Sequence, residues 1–534
     1  MCEVCQALAD TTESVSGLSA DCPASTLDSG TYRGDNVVTI YFVQDGDDAN
    51  AADEIYDTSG SDEMESEGWS DEEIEQFMKA VATISNYIDV TFEESSDPDA
   101  DFQVVLDDNE FSSSGALGYF YLPSYAGDNS SVMGAFNSNG LGWNEDGGLE
   151  AGGLGYSTII HEALHGLGLA HPHDGDSILN GLVEGASPFG EYGDYDLNQG
   201  IYTIMSYNDG LYTTPAGLNE GNSATPMALD IAILQEIYGA NTTYNSGDNV
   251  YEIPDNDDAW ISIWDTGGED TISYSGTKDV TIDLREATLI YAEGGGGYIS
   301  GADGVAGGYT IANGAVIENA IGGSGDDTLI GNGADNELTG NGGNDELVGG
   351  TGDDDLDGGS DDDTLYGDSG SDDATVSSGN NTIYGGSGFD DLDGGSGVDT
   401  IFGGSGDDNI SGGGDDDTLY GGRGDDDING DAGADTIIGG MGADTLTGGA
   451  GADTFVFNAM SDSFVGNGDT IVDFENGSNT IDLSAFGITS AEVTLNTSSG
   501  NTTVLIDSNG DGTDDMAILL TGTTSVDVAN DFIF

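Results

Sequence analysis

All four histidines of the 534-residue chain lie between His161 and His173. The run reads His161-Glu162-Ala163-Leu164-His165-Gly166-Leu167-Gly168-Leu169-Ala170-His171. Side chains four apart share one helix face, one turn above the other. His161 and His165 can therefore aim two imidazoles at one ion. Glu162 shares the turn and reaches a water on that ion. Gly168 accepts a positive φ, so the helix can stop there and the chain can turn. His171 then swings back as a third ligand. Three neutral imidazoles around one cation, with a position left open, form the catalytic zinc arrangement. Zinc lowers the pKa of its water to about 7, and a neighbouring carboxylate takes the proton as the hydroxide attacks a carbonyl. One Zn2+ ion is expected, with Glu162 as general base. The two-histidine spacing alone arises by chance, and the extension through Gly168 to His171 makes it specific.

Several elements must position these residues. The active-site helix is expected from near Tyr156 to near Gly168. Val37 to Phe42 is rich in β-branched and aromatic residues and reads as a buried strand. Ser70 followed by acids at 71–73 reads as a capped helix start, and Ile74, Phe77, Met78, Val81 and Ile84 form one apolar face. Further strands are expected at 87–92, 102–106 and 118–123, and a second long helix from Ala224 to Tyr238.

With Thr203-Ile204-Met205-Ser206-Tyr207 added, the chain resembles the serralysin-like metzincin zinc metalloproteases of peptidase family M10B. The resemblance implies that Met205 lies in a turn beneath the zinc. It also implies that Tyr207 is a further zinc ligand, which leaves the metal and hydrogen-bonds the tetrahedral intermediate. Such a donor is worth ~3 kcal/mol in other enzymes. Residues 117–122 lie where the family has an edge strand that pairs with the substrate backbone, a sequence-tolerant way to bind protein or peptide substrates. Ile237-Tyr238-Gly239-Ala240-Asn241, Ile263-Trp264-Asp265-Thr266-Gly267-Gly268 and Ile317-Glu318-Asn319-Ala320-Ile321-Gly322-Gly323 also look like serralysin stretches. The similarity runs from about residue 35 to the end, apart from 173–202.

From Gly322 to Val456 the chain consists of fifteen nonapeptides of the form Gly-Gly-x-Gly-x-Asp-x-U-x, where U is a large apolar residue. The sixth position is aspartate at Asp327, Asp345, Asp354, Asp363, Asp372, Asp390, Asp399, Asp408, Asp417, Asp426, Asp435, Asp444 and Asp453, and asparagine at Asn336 and Asn381. Periodicity this strict means a solenoid. Glycines give tight turns and leave carbonyls free, and the carboxylates and carbonyls suit several structural Ca2+ ions. One apolar residue in nine buries too little surface to offset chain entropy. The array should therefore be unfolded without calcium and fold when it binds.

The net charge is −97, from 102 acids against 5 lysines and arginines. Nucleic acid and anionic membranes are repelled by such a surface. Calcium sites do not account for all of it, because residues 322–456 hold 32 acids and residues 1–240 hold 44. A saline habitat, where screening makes high surface charge tolerable, is expected as well. No apolar run approaches the ~20 residues that span a bilayer, so no membrane insertion is expected. Cys2, Cys5 and Cys22 all lie in the acidic leader, so no disulfide framework supports the body.

The expected fold class is an α+β metzincin catalytic domain followed by an all-β parallel β-roll and a β-rich cap. The expected divisions are a leader (1–30), a catalytic domain (31–241), a β-rich connecting segment (242–321), the calcium-binding roll (322–456) and a cap (457–534). Asn530-Asp531-Phe532-Ile533-Phe534 resembles the tail of substrates of the type I secretion machinery, and the expected product is a secreted, extracellular monomer. A calcium-dependent adhesin or surface-layer protein with an idle protease fold is the rival reading. An idle site, however, has no need of Glu162.

Overall fold

The structure, a computed structural model, describes residues 36–44, 68–106, 118–120, 132–138, 143, 148–169, 199, 202–205, 222–256, 259–289 and 296–534. The leader with its three cysteines, His171, His173 and Tyr207 lie outside the described residues. Two compact units emerge. One comprises residues up to 249 with 253–268 and 285–316, and the other comprises 250–252, 269–284 and 317–534. The expected connecting segment is thus shared between them.

The first unit is built on a five-stranded sheet. Its strands are β1 (Val37–Phe42), β2 (Thr91–Glu94), β3 (Phe102–Leu106), β4 (Gly118–Phe120) and β5 (Val132–Phe136), in the order β2-β1-β3-β5-β4. All pairs are parallel except the edge pair of β4 with β5. β3 and β5 are buried along their whole length, as strands covered on both faces must be. Helix α1 (Asp71–Ile84) starts at the expected cap: the Ser70 side chain accepts from the Glu73 N–H, and Glu73 accepts from the Ser70 N–H. Its apolar face sets Phe77 edge-on against Phe42, Trp69 and Phe136. Edge-to-face pairs of this kind add about 0.5–1.5 kcal/mol each beyond the area they bury.

Two boundaries differ from the sequence pattern. β2 begins at Thr91, not Tyr87, because Asp89 donates its N–H to the Gly239 carbonyl and Ile88 bridges to Ala240. The β-rich run at 87–90 is therefore spent on the end of helix α3 (Ala228–Tyr238). α3 itself starts four residues later than the apolar spacing suggests, since Asn222–Ser223 pairs with Ala259–Trp260. Gly308–Ile311 pairs along the other side of 260–263.

In the second unit the nonapeptides form two parallel sheets, alternate repeats going to alternate sheets. Residues 18 apart align, as Thr364 does with Thr382. The apolar eighth residues point inward at 0–1 % exposure, each flanked by more exposed neighbours. Glycine is required where turns stack: a Cβ on Gly388, which has φ +147°, would lie 1.5 Å from the Gly370 carbonyl oxygen. The solenoid runs past both ends of the strict repeats. Thr271–Ser273 pairs with Asn319–Ile321 and Thr281–Asp283 with Thr328–Ile330 ahead of them. Thr445–Leu446 pairs with Thr470–Ile471, and Thr454–Val456 with Thr480–Asp482, behind them. On one outer face Tyr366, Tyr384, Phe402 and Tyr420 stack at 4.7–4.9 Å between ring centres. An antiparallel meander, 493–498, 501–506 and 516–520, joins one sheet. No helix among the described residues is long and apolar enough to cross a membrane.

Candidate metal centre

Helix α2 (Leu154–Gly166) carries the histidine motif. Ile159, Ile160, Ala163 and Leu164 are fully buried and fix its rotation. Gly166 meets the aromatic core so closely that a Cβ there would lie 2.7 Å from Phe102 Cζ. The helix ends in a Schellman motif: Gly168, at φ +102°, donates to the His165 carbonyl, and Leu169 donates to the Leu164 carbonyl. The positive φ expected at Gly168 is therefore present, and it has a further effect. It brings the Leu169 carbonyl to the His165 ring, 2.7 Å from Nδ1.

His161 and His165 lie side by side, ring centres 4.9 Å apart and planes at 85°. His161 Nδ1 is 2.7 Å from the Ile204 carbonyl. A carbonyl only accepts, so each Nδ1 carries its proton and each Nε2 keeps a lone pair. This tautomer is the one a metal-binding imidazole needs. Among the described residues no third histidine, cysteine or carboxylate completes a ligand group.

Glu162 is 7 % exposed. One side of its carboxyl accepts the backbone N–H of Phe120 on edge strand β4, while Oε2 is buried without a hydrogen-bond partner. Burial pushes its pKa up to about 8, against the lowering effect of the Phe120 bond. β4 presses on this side chain: a Cβ on Gly118 would lie 3.1 Å from Glu162 Cγ. A buried carboxylate oxygen without a partner, on the same helix as two imidazoles whose Nδ1 atoms face carbonyls, is a donor set that suits zinc and a water.

Met205 is fully buried, in the turn that supplies the Ile204 carbonyl. Sequence reasoning missed what holds this turn. Asp230 on α3, fully buried, accepts from Thr203 Oγ1 at 2.6 Å, from the Ile204 N–H at 2.8 Å and from the Met227 N–H at 2.9 Å. Burial raises its pKa to about 6, opposed by these three bonds. The only signal in the sequence was an acid within the otherwise apolar stretch Ala228-Leu229-Asp230-Ile231-Ala232-Ile233.

In the roll the sixth-position carboxylates form two columns. Oδ1 of each accepts the backbone N–H of the residue one coil back, as Asp363 does from Asp345 at 2.9 Å and Asp426 from Asp408 at 2.9 Å. Oδ2 of Asp345, Asp354, Asp363, Asp372, Asp390, Asp399, Asp408, Asp417, Asp426, Asp435, Asp444 and Asp453 is buried without a partner. Asp327 differs, its Oδ2 accepting from the Gly323 N–H at 2.6 Å. Burial, chiefly, pushes Asp363, Asp417 and Asp426 up to about 7. Asn336 and Asn381 keep the same place with an amide, accepting at Oδ1 from Asn332 and Asp363. One column continues beyond the repeats: Asp469 accepts from the Asp444 N–H at 3.0 Å, and its Oδ2 is also buried and unpartnered. Its pKa is pushed up to about 8, mainly by burial. Asp469-Thr470-Ile471 repeats the Asp444-Thr445-Leu446 pattern after an insertion, a signal hidden by the lost nine-residue period.

Fold and site define a class: a helix-borne paired-histidine centre on a mixed sheet, followed by a parallel β-roll lined with carboxylates. Comparison with known proteins narrows it. Residues 228–393 match the peptidase M10 serralysin C-terminal family, and segments between 393 and 455 match the RTX calcium-binding nonapeptide repeat. The chain is 34 % identical over 271 residues to serralysin of Photorhabdus sp. (strain Az29), covering 48 % of this chain and 52 % of the relative. It is 37 % identical over 195 residues to serralysin of Proteus mirabilis, covering 34 % and 36 %. It is 36 % identical over 234 residues to serralysin C of Dickeya chrysanthemi, covering 40 % and 43 %. The chain thus spans about half or less of the length of these curated relatives. The AlgE6R2 subunit of an Azotobacter vinelandii mannuronan C5-epimerase matches at 26 % identity over 26 % of this chain and 91 % of that one, with a TM-score of 0.21. Over residues 228–455 the chain is thus similar to the serralysin C-terminal family and to RTX calcium-binding nonapeptide repeats.

Proposed function

We propose that the protein is a secreted zinc-dependent endopeptidase whose calcium-loaded repeats fold after export. The observation that carries this reading is the buried, unpartnered Glu162 Oε2 on the same helix as two imidazoles whose Nδ1 protons are already committed to carbonyls. In this reading His161, His165 and His171 hold one zinc, Tyr207 is a further ligand, and Met205 supports the site from below. Zinc, when bound, supplies a Lewis acid that acidifies water and polarises a peptide carbonyl.

The chain's own residues do the rest. Glu162 receives the proton of the attacking water at Oε2 and delivers it to the leaving amine. The Phe120 N–H holds the other side of that carboxyl in place. Among the described residues β4 pairs only with β5, so the rest of its outer edge, beyond the Phe120 N–H held by Glu162, is offered to an extended substrate strand. Backbone pairing of this kind tolerates varied protein and peptide substrates.

The columns of unpartnered Oδ2 atoms supply hard oxygen for calcium, and Asp469 extends one column into the cap. Calcium-dependent folding supports secretion through type I machinery, since the chain stays unfolded in a low-calcium cytosol. Casein digestion by the purified protein, with and without a zinc chelator in excess calcium, tests the reading. Cleavage that stops with the chelator supports it; a calcium-bound protein that never cleaves casein leaves the adhesin reading.

A further inference from the structure

Both motif histidines are oriented by carbonyls, but from different sources. His165 takes its carbonyl from Leu169, at the end of its own helix. His161 takes its carbonyl from Ile204, 43 residues away in sequence. The first arrangement follows from one local helix terminus. The second needs a separate turn to be held at a fixed height beneath the helix.

We propose that Asp230 is a positioning residue for the metal centre: one buried carboxylate on α3 holds the 203–205 turn so that the Ile204 carbonyl fixes the ring of His161. This rests on the zinc endopeptidase reading. The bonds form a continuous chain. Asp230 Oδ2 accepts the Ile204 N–H at 2.8 Å, and the carbonyl of that same residue accepts from His161 Nδ1 at 2.7 Å. Oδ1 accepts from Thr203 Oγ1 at 2.6 Å, and Thr203 Oγ1 accepts the Met205 N–H at 3.2 Å. Oδ2 also takes the Met227 N–H at 2.9 Å, which ties the turn to the start of α3.

Asp230, Thr203, Met205 and Met227 are fully buried and Ile204 is buried, while His161 at the far end is partly exposed. Around the carboxylate no solvent is at hand to replace a lost bond. A fully hydrogen-bonded polar network in such a place is rigid, and a partly broken one is costly. A shift of the turn moves the Ile204 carbonyl and with it the His161 ring. His165 has no link to Asp230 in this chain of bonds and serves as an internal reference.

The test is a set of variants of the full protein, purified in calcium and compared for zinc affinity, cobalt(II) spectrum, kcat and KM. Asp230→Asn puts an N–H where an oxygen accepted. We expect zinc affinity and kcat to fall about 10–100-fold, the range for groups behind a metal ligand. KM stays within about twofold, because the substrate edge of β4 is untouched. The visible bands of the cobalt(II) form shift, reporting an altered ligand field. Thr203→Val, which cuts only the Oδ1 arm, shifts the same quantities less, and Thr203→Ser restores them.

A folded Asp230→Asn protein with wild-type zinc affinity, cobalt bands and kcat overturns the proposal. Where that variant does not fold, Thr203→Val decides: wild-type values there overturn it equally. A wild-type protein with no zinc-dependent cleavage of a peptide library fails at the earlier step and removes the endopeptidase reading itself. An active wild type with unresponsive variants removes only the role of Asp230.

Discussion

The metal centre and the repeat column both bury charge-bearing side chains, but they settle their polar groups differently. Around the histidines nearly every described bond is closed within the protein. Both Nδ1 atoms have carbonyls, and Asp230 has three donors. Among the described residues there, Glu162 Oε2 is buried without a hydrogen-bond partner. In the roll a buried carboxylate oxygen is left open at twelve of the thirteen repeat aspartates. A site completed by the fold should survive loss of its metal, and a column completed only by ions should not. On the proposed reading, the same molecule combines a preorganised centre with a region whose folding would be metal binding.

Calcium removal is the most drastic way to probe the contrast. Chelating calcium should abolish the parallel β signal of residues 319–482 in far-UV circular dichroism, with recovery on adding it back. Removing zinc alone should leave that spectrum unchanged. A roll that keeps its signal without calcium breaks the comparison.

Next in size is Glu162→Gln. Loss of a general base lowers rate by about 10²–10⁴-fold. Zinc content should be unaltered, because the imidazole orientations depend on Ile204 and Leu169, not on Glu162. Zinc analysis beside a peptide-cleavage assay checks both halves.

A smaller effect is expected from Leu392→Ala, which opens a cavity at a fully buried position of the roll. Such truncations cost about 2–5 kcal/mol. The calcium midpoint of folding should rise while zinc affinity stays constant, measured on the same samples. An equal effect on zinc binding would mean the two regions are not energetically separate.

The mildest probe is pH. Burial raises the calcium-free roll aspartates, with Asp345, Asp390 and Asp408 at about 6 and Asp417 and Asp426 at about 7. For a carboxyl raised on folding, the stabilising contribution is full below the unfolded value near 4 and is lost as pH rises through 6 to 7. Without calcium, the roll should therefore be least stable at neutral pH and gain structure towards pH 4.5. With calcium, protons compete for the same oxygens, so the calcium midpoint should rise several-fold between pH 7.5 and 6. A midpoint independent of pH would sharpen the question of which oxygens bind.

Much of this was legible in the sequence because the relevant physics is local. His161 and His165 needed only helical spacing, Gly168 only its tolerance of positive φ, and the nonapeptides only their period. What escaped was set by contacts distant in sequence. The run at 87–90 has strand composition but bonds to Gly239 and Ala240. Asp230 looks like one acid among many until three donors from two segments converge on it. Asp469 kept its place in the column while an insertion broke the count that would have revealed it. The expected 242–321 segment divides because its strands pair with partners on either side, Ala259–Ile263 with Gly308–Ile311 and Thr271–Ser273 with Asn319–Ile321.

The most direct test is a zinc titration of metal-free protein held in saturating calcium, following bound metal and casein cleavage together. Cleavage should rise in step with zinc and level off at about one ion per chain, and His165→Ala should neither bind zinc at that affinity nor cleave. Full cleavage before any zinc is added, or undiminished zinc binding by His165→Ala, would contradict the account.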